Sequence, residues 1–233
     1  MYKHFLKRLI GFLGALVAVI ILSPLFIVVK LWLHITNKGA GAFFLQERIG
    51  KGSKPFKIIK YKTMTDERGE DGKLLPDQQR LTKVGRFVRS TSMDELPQLF
   101  NILKGDMAFI GPRALPTTYQ FFFTEEEQRR HEVRPGISGW AQINGRTSIT
   151  WGQKMKYDVE YVEKLTMWFD IKIFFLTIYK VFKKENVGVE TSGVVSFHEY
   201  RAAEWEGKGK HDLAVKALAQ REALIKEQKR NDI

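Results

Sequence analysis

Apolar positions are unevenly distributed along this 233-residue chain. Residues 9–29 form a run of 21 without a charge. An α-helix of that length is ~31 Å long, close to the thickness of a bilayer's hydrocarbon layer. Ser23-Pro24 interrupts the run. A proline there takes the helical partner from the carbonyl of Ile20 and clashes with it, so a kink or break is expected. The Ser23 hydroxyl is placed to re-satisfy a freed backbone group. No convincing small-x-small cleavage site follows, and the chain resumes with Lys30 and an amphipathic Leu31-Trp32-Leu33. The run therefore reads as an anchor rather than a secretory signal.

Beyond the anchor the periodicity changes. Residues 55–63 alternate as a strand, with Phe56, Ile58, Lys60 and Lys62 on one side. Residues 66–79 are polar and read as a loop or hairpin. A helical stretch is expected over 80–104, around Ser92-Met93-Asp94-Glu95-Leu96-Pro97. A turn at Gly111-Pro112 and an acidic helix near 124–132 come next, and turn chemistry then runs from Arg134-Pro135-Gly136 through Asn144-Gly145. Residues 151–182 are helical again, and Trp168, Ile171, Phe175, Ile178, Tyr179 and Phe182 share a face. That face suits either a core helix or one lying in the headgroup plane of a membrane. From about residue 201 the Ala-, Lys- and Glu-rich tail reads as a solvated helix. The organisation expected is an anchor over 1–38, a compact domain over 39–185 that holds the candidate chemistry, and a partly helical tail over 186–233.

Charge changes this picture. Of the formal +12, residues 1–62 carry 11 Lys or Arg against one acid, Glu47, and the remaining 171 residues are nearly neutral. An excess that flanks and follows an apolar run points to anionic headgroups and phosphate ligands, and away from nucleic acid. Lys3, Lys7 and Arg8 precede the run, and Lys30 and Lys38 follow it. Basic flanks stay on the cytoplasmic side, so a helix that enters, turns near Ser23-Pro24 and leaves on the same side fits better than a simple span. The chain has no cysteine, which excludes disulfides, zinc ribbons and thiol catalysis.

No Gly-x-Gly-x-x-Gly, Walker loop, His-Glu-x-x-His or Gly-x-Ser-x-Gly is present, and the five histidines are scattered. Carboxylates amid Arg and Lys remain, a set suited to phosphoryl chemistry. Asp94-Glu95 leads it. Ser92 and Glu95 match a capping box, so the pair can simply start a helix. The same location also suits catalysis. The helix dipole keeps a carboxylate ionised, free N–H groups hold phosphate oxygens, and an ionised Asp can attack phosphorus. Such an attack needs positive charge. The candidates are Lys60, Lys62, Arg86, Arg89, Arg113 and Arg146, of which Arg113 and Arg146 stand beside tight turns able to aim a guanidinium fork.

With Pro55-Phe56-Lys57-Ile58-Ile59-Lys60-Tyr61-Lys62-Thr63-Met64, Ser92-Met93-Asp94-Glu95-Leu96-Pro97-Gln98-Leu99-Phe100-Asn101 and Lys104-Gly105-Asp106-Met107, the chain resembles a known family. Gly111-Pro112-Arg113, Arg134-Pro135-Gly136-Ile137-Ser138-Gly139-Trp140-Ala141-Gln142, Asn144-Gly145-Arg146, Tyr157-Asp158 and Tyr161-Val162 continue the match in order over about residues 1–183. The family is that of the bacterial sugar transferases known as monotopic phosphoglycosyl transferases, here of the small class. The resemblance implies an α+β, predominantly helical fold with a re-entrant membrane helix broken at Ser23-Pro24, a compact cytoplasmic domain and interfacial helices. It implies Asp94 as nucleophile with Glu95 assisting, both close to Mg²⁺, and Lys60, Arg89, Arg113, Arg146 and Asp158 lining the diphosphate or metal site. The reaction implied takes a sugar-1-phosphate from a UDP-sugar to polyprenyl (undecaprenyl) phosphate through a phosphosugar-Asp intermediate, releasing UMP, at the cytoplasmic face of the bacterial inner membrane. This is a first membrane step of glycoconjugate biosynthesis. A homodimer and downstream glycosyltransferases stay open as partners. Lys62 stands where the family usually has Arg, Ala114 where a second Pro usually follows, and the tail after about residue 185 has no counterpart. Two other readings are kept: a membrane-tethered non-enzymatic adaptor, and a single-step transferase in which Asp94-Glu95 only ligate metal. The sugar stays open among N,N′-diacetylbacillosamine, galactose and N-acetylhexosamines.

Overall fold

The computed structural model describes residues 1–145, 148–183 and 195–231. Its longest element is helix α1, Lys7–Thr36, entered through a single π-helical turn at Tyr2–Leu6. Of the kink or break expected at Ser23-Pro24, a loss of helix is not seen, because the residues on both sides of Pro24 stay helical. Ser23 Oγ donates to the Ile20 carbonyl at 2.8 Å. That is the carbonyl Pro24 leaves unpaired, and a hydroxyl one residue away replaces the missing donor, so the helix continues.

One side of α1 is packed and the other is bare. Ala15, Phe26, Val29 and Leu33 are buried in a cluster with Val88, Leu99, Ile102 and Met107. Ile20, Ile21, Ile27, Val28 and Ile35 are exposed. Both ends of the helix are tied to the same domain. At the start, Arg8 donates to the carbonyls of Ile102 and Leu103, and Lys7 pairs with buried Asp170. At the end, Asn37 is fully buried and its Nδ2 donates to the carbonyls of Gly41 and Lys62, at 2.8 and 2.6 Å.

The chain then forms an antiparallel hairpin of β1, Phe43–Ile49, and β2, Pro55–Tyr61, in register from Phe43 opposite Tyr61 to Ile49 opposite Pro55. The polar stretch that follows closes a small turn in which Arg68 bridges Leu74. The helix expected over 80–104 is two helices, α2, Lys83–Ser90, and α3, Gln98–Lys104, separated by a 3₁₀ turn at Met93–Glu95. Ser92 sits in the left-handed region (φ 56°), which no α-helix tolerates, and this divides them. Fully buried Asn101 of α3 then bonds to β2 in both directions. Its Oδ1 accepts from Ile59 N at 3.0 Å and its Nδ2 donates to Lys57 O at 2.8 Å, so a helix side chain satisfies an open strand edge.

A second, two-stranded parallel sheet pairs β3, Ala108–Ile110, with β4, Gly136–Ser138. The approach is close: a Cβ on Gly136 would lie 2.1 Å from Gly111 N, so only glycine fits. Helix α4, Trp151–Glu163, and α5, Met167–Phe182, follow, each N-capped by a threonine. The shared apolar face of α5 is not a core face. Trp168 is 74% and Phe175 64% exposed, with Ile171, Ile178 and Tyr179 also exposed, whereas Ile173 and Asp170 point inward. The side chain of Phe182 lies outside those described.

The tail is also corrected. Helices α6, Phe197–Gly207, and α7, His211–Asn231, are not simply solvated. Phe197, Trp205, Ala214 and Ala217 are buried with Ile49, Leu115, Phe122 and Met155 of the preceding domain, and Arg201 is ion-paired with Glu127. Alanine and lysine content favoured solvation, but two aromatics on one face found a hydrophobic groove. Phe197→Ala removes a fully buried ring and is expected to destabilise the protein by about 3 kcal/mol, roughly 6–12 °C in melting midpoint. An unchanged thermal melt would return the tail to solvent.

Candidate active site

Three separate pieces of chain meet around Glu95. β2 brings Lys60, whose neighbour Ile59 is held by Asn101. The turn after α2 brings Asp94 and Glu95. The loop after β3 brings Arg113, whose backbone is fixed on two sides: Gly136 N donates to the Pro112 carbonyl at 3.0 Å and Arg130 Nη2 to the Arg113 carbonyl at 2.7 Å. Glu95 Oε1 accepts from both Lys60 Nζ, at 2.9 Å, and Arg113 Nη2, at 2.8 Å. The capping box expected between Ser92 and Glu95 is not formed. Ser92 makes no side-chain cap bond, because its left-handed backbone turns the residue away and Glu95 is drawn to the two cations instead.

Asp94 is the contrasting member of the pair. Its Oδ2 lies 3.8 Å from Lys60 Nζ, its side chain is 17% exposed, and no described residue donates a hydrogen bond to it. Burial pushes its carboxyl above the ordinary range and the charge of Glu95 adds to this, with Lys60, Arg89 and Arg113 only partly offsetting. Burial alone would push Glu95 up as well. Arg113 and Lys60, by charge and by hydrogen bond, outweigh it and hold that carboxyl well below the ordinary range. One carboxylate is thus satisfied and fixed, and its neighbour is desolvated and unsatisfied, the condition of a reactive group.

The other residues singled out from sequence are distributed as follows. Arg89 of α2 donates from Nε to Thr63 Oγ1 at 2.7 Å and acts on Asp94 by charge. Lys62 is paired with Asp66, away from the carboxylates. Asp158 of α4 does not reach the pair: it is buried and accepts from Arg130 Nε and Nη2 at 3.1 and 2.8 Å. Through Arg130, which also grips the Arg113 carbonyl, Asp158 positions Arg113. Arg146 lies outside the described residues. Three contributors were missed. Arg48 of β1 lines a recess with Lys60 and Arg113, Arg130 forms the support just described, and Lys154 has its pKa lowered by burial and by Arg113. Arg48 had a sequence signal in the alternating strand pattern Gln46-Glu47-Arg48-Ile49 ahead of Gly50, whereas Arg130 within an acidic helical stretch had none.

Among the described residues no group of three or more His, Asp or Glu is placed to hold a metal alone. The Asp94–Glu95 pair nevertheless fits Mg²⁺ in one way. That ion takes one or two carboxylates, keeps waters and completes its shell with substrate phosphate oxygens. An unsatisfied, desolvated carboxylate at Asp94 is the donor such a cation would stabilise.

A family model described as bacterial sugar transferase matches residues 2–184. An uncharacterized sugar transferase of Bacillus subtilis (strain 168), EpsL, is 52% identical over 149 residues, covering 64% of this chain and 74% of that protein. A UDP-glucose:undecaprenyl-phosphate glucose-1-phosphate transferase of Klebsiella pneumoniae is 38% identical over 186 residues, covering 76% of this chain and 40% of its own length. A UDP-N-acetylgalactosamine-undecaprenyl-phosphate N-acetylgalactosaminephosphotransferase of Aeromonas hydrophila is 37% identical over 182 residues, covering 75% and 43%. The chain therefore spans less than half the length of the latter two. Nothing in these relatives supports a non-enzymatic adaptor.

The two carboxylates are expected to respond oppositely to neutralisation. A raised folded-state pKa at Asp94 means that ionising it weakens the fold as pH rises from the unfolded carboxyl value through the folded one. A lowered pKa at Glu95 means that its ionised form stabilises the fold above the unfolded value, and that this is lost as pH falls toward the folded one. At pH 7 Asp94→Asn should raise the melting midpoint, with the gain fading toward pH 4. Glu95→Gln should cost about 3 kcal/mol by stranding Lys60 and Arg113. Melting curves shifted in the same direction by both substitutions would refute this division.

Proposed function

The chain belongs to the bacterial sugar transferase family, and on that premise we propose that it moves a sugar-1-phosphate from a UDP-sugar to polyprenyl (undecaprenyl) phosphate. The observation that carries the reading is the unsatisfied Asp94 carboxylate beside a Glu95 immobilised by Lys60 and Arg113. In the first step an Asp94 oxygen attacks the β-phosphorus. The bond from that phosphorus to the bridging oxygen breaks, its electron pair leaves with UMP, and a phosphosugar-Asp mixed anhydride remains. In the second step an oxygen of polyprenyl phosphate attacks the same phosphorus, the bond to Asp94 breaks, and polyprenyl diphosphate sugar departs with the carboxylate regenerated. Lys60, Arg89 and Arg113 neutralise charge where an anion approaches a diphosphate. Mg²⁺, held by Asp94 and Glu95 together with the diphosphate, would supply further charge neutralisation on the phosphate oxygens. Glu95 keeps the cations in place, and Asp158 with Arg130 keeps Arg113 aimed.

The membrane part of the proposal is a helix that enters and leaves one leaflet from the cytoplasmic face, with α5 lying in the headgroup plane. It is supported by the two ends of α1, both docked on one domain, since a spanning helix would put those ends, and the parts of the domain they hold, on opposite sides of the bilayer. The bare apolar side of α1, the exposed row on α5, and Phe43, Phe44 and Leu45 of β1 give that surface its hydrophobic area. A second substrate with a lipid tail then meets Asp94 at the interface.

Asp94→Asn should abolish turnover while the protein folds and binds membrane, because an amide keeps the shape without the nucleophile. With UDP-sugar and Mg²⁺ but no lipid acceptor, wild-type enzyme should release about one equivalent of UMP and gain the mass of a phosphosugar. Release of UDP, or UMP formation only with lipid present, would exclude the covalent route.

The topology has its own test, made clean by the absence of native cysteine. Cysteines placed at Lys3 and Lys38 should both escape an impermeant thiol reagent in intact cells and both react after permeabilisation. Labelling of position 3 from outside would rule out re-entry.

A further inference from the structure

The catalytic proposal leaves one cation unexplained. Arg48 projects from β1 into a shallow recess, open to solvent, which it lines with Lys60, Gln98 and Arg113. Elsewhere in this chain buried arginines meet carboxylates, as Arg130 does with Asp158 and Arg201 with Glu127. Arg48 has no such partner. Its Nη2 donates to Gln46 Oε1 and its Nη1 reaches the Ala114 carbonyl at 3.4 Å, a weak contact. Its Nε is buried with no acceptor among the described residues, as are those of Arg201 and Arg221, so what sets Arg48 apart is the missing carboxylate. A buried donor left unmet is unfavourable. Burial and the adjacent Arg113 pull the guanidinium down to about 10, so the protein itself disfavours the charge that the side chain carries there.

Counting charge around the carboxylates gives the same result. Arg48, Lys60, Arg89 and Arg113 face Asp94 and Glu95, and each is within electrostatic reach of at least one of the two. Four cations against two anions leave an excess that matches a diphosphate. The cations differ in position: Lys60 lies 3.8 Å from Asp94 and Arg113 is bonded to Glu95, whereas Arg48 lines the recess beside both without a bond to either carboxylate.

We infer that Arg48 is a substrate-binding residue, whose guanidinium in the recess beside Arg113 takes the α-phosphate of the nucleotide, the group that departs. This rests on the proposed UDP-sugar reaction and deepens it. As the bond between the β-phosphorus and the bridging oxygen breaks, the electron pair settles on the oxygen that becomes part of UMP. A planar fork with a free Nε–H and a weakly engaged Nη1 is suited to meet that phosphate with paired hydrogen bonds. The unmet donor and the like-charge neighbour are then features of a ligand-free site, relieved on binding.

The test is titration calorimetry of the full chain in nanodiscs with UMP, UDP and uridine, beside thermal melts without ligand. Arg48→Gln is expected to weaken UMP binding tenfold or more, which is ~1.4 kcal/mol. Uridine binding and the ligand-free melting midpoint should be unchanged, or the midpoint raised. UMP affinity equal to wild type, or a melting midpoint that falls with UMP affinity intact, would make Arg48 a structural residue and leave the reaction standing. A wild-type protein that binds UDP and not UMP would also overturn the assignment. Wild type binding neither nucleotide would fail the UDP-sugar reading itself. If Arg48→Gln does not fold, Arg48→Lys keeps the charge and loses the fork. A UMP affinity reduced threefold or more with an unchanged melt supports the role, and an unchanged affinity overturns it.

Discussion

A single carboxylate oxygen, Glu95 Oε1, receives hydrogen bonds from Lys60 on a strand and Arg113 on a loop 18 residues after it. Between them these three residues join the β1–β2 hairpin, the turn between α2 and α3, and the loop after β3. Each element is also braced from behind, by Asn101 on β2, by the left-handed Ser92 before the turn, and by Arg130 with Asp158 under Arg113. Removing two charges from water is favourable only with good geometry and satisfied lone pairs. The bracing provides both, and among the described residues it leaves Asp94 with only the longer contact to Lys60, at 3.8 Å. The reactivity proposed for Asp94 rests on that contrast with Glu95.

The anchor obeys a related constraint. Where water is absent, every backbone polar group must find a partner inside the protein. Proline at position 24 would violate this at Ile20, and the Ser23 hydroxyl restores it at 2.8 Å. The helix therefore needs no structural break to keep Pro24. Its direction relative to the domain is set at its two ends, by Arg8 on the carbonyls that end α3 and by Asn37 on the carbonyl of Lys62. These polar clamps hold an apolar helix against the domain, and its outward side stays bare.

Helices α6 and α7 lie beyond the span matched by the family model, yet they complete the domain. They cover the groove formed by Leu115, Phe122 and Met155, and Gln228 near the end of α7 bonds to Glu47 of β1 and to Thr117. The strand that carries Arg48 is thereby supported from its far side. An extension outside the shared family core is tied into the element that lines the active-site recess.

Local chemistry, repeated at short spacing, was legible in the sequence. The uncharged run of 21 residues, the Ser23-Pro24 pair, the strand alternation through Lys60, and Asp94-Glu95 amid cations each announce themselves within ten to twenty positions. They were enough to single out the candidate carboxylates and the apolar helix. Distance along the chain hid the rest. Nothing near Asp158 shows that Arg130 will claim it, nothing near Ser92 shows that left-handed backbone will cancel a capping box, and the face of α5 is apolar whether it meets protein or lipid. Those outcomes depend on which charge arrives from 28 or 35 residues away. The sequence alone determined which groups are able to do the chemistry. Only the tertiary structure decided which carboxylate is held and which is left exposed to reaction, because desolvation and charge pairing are properties of the neighbours that folding brings together.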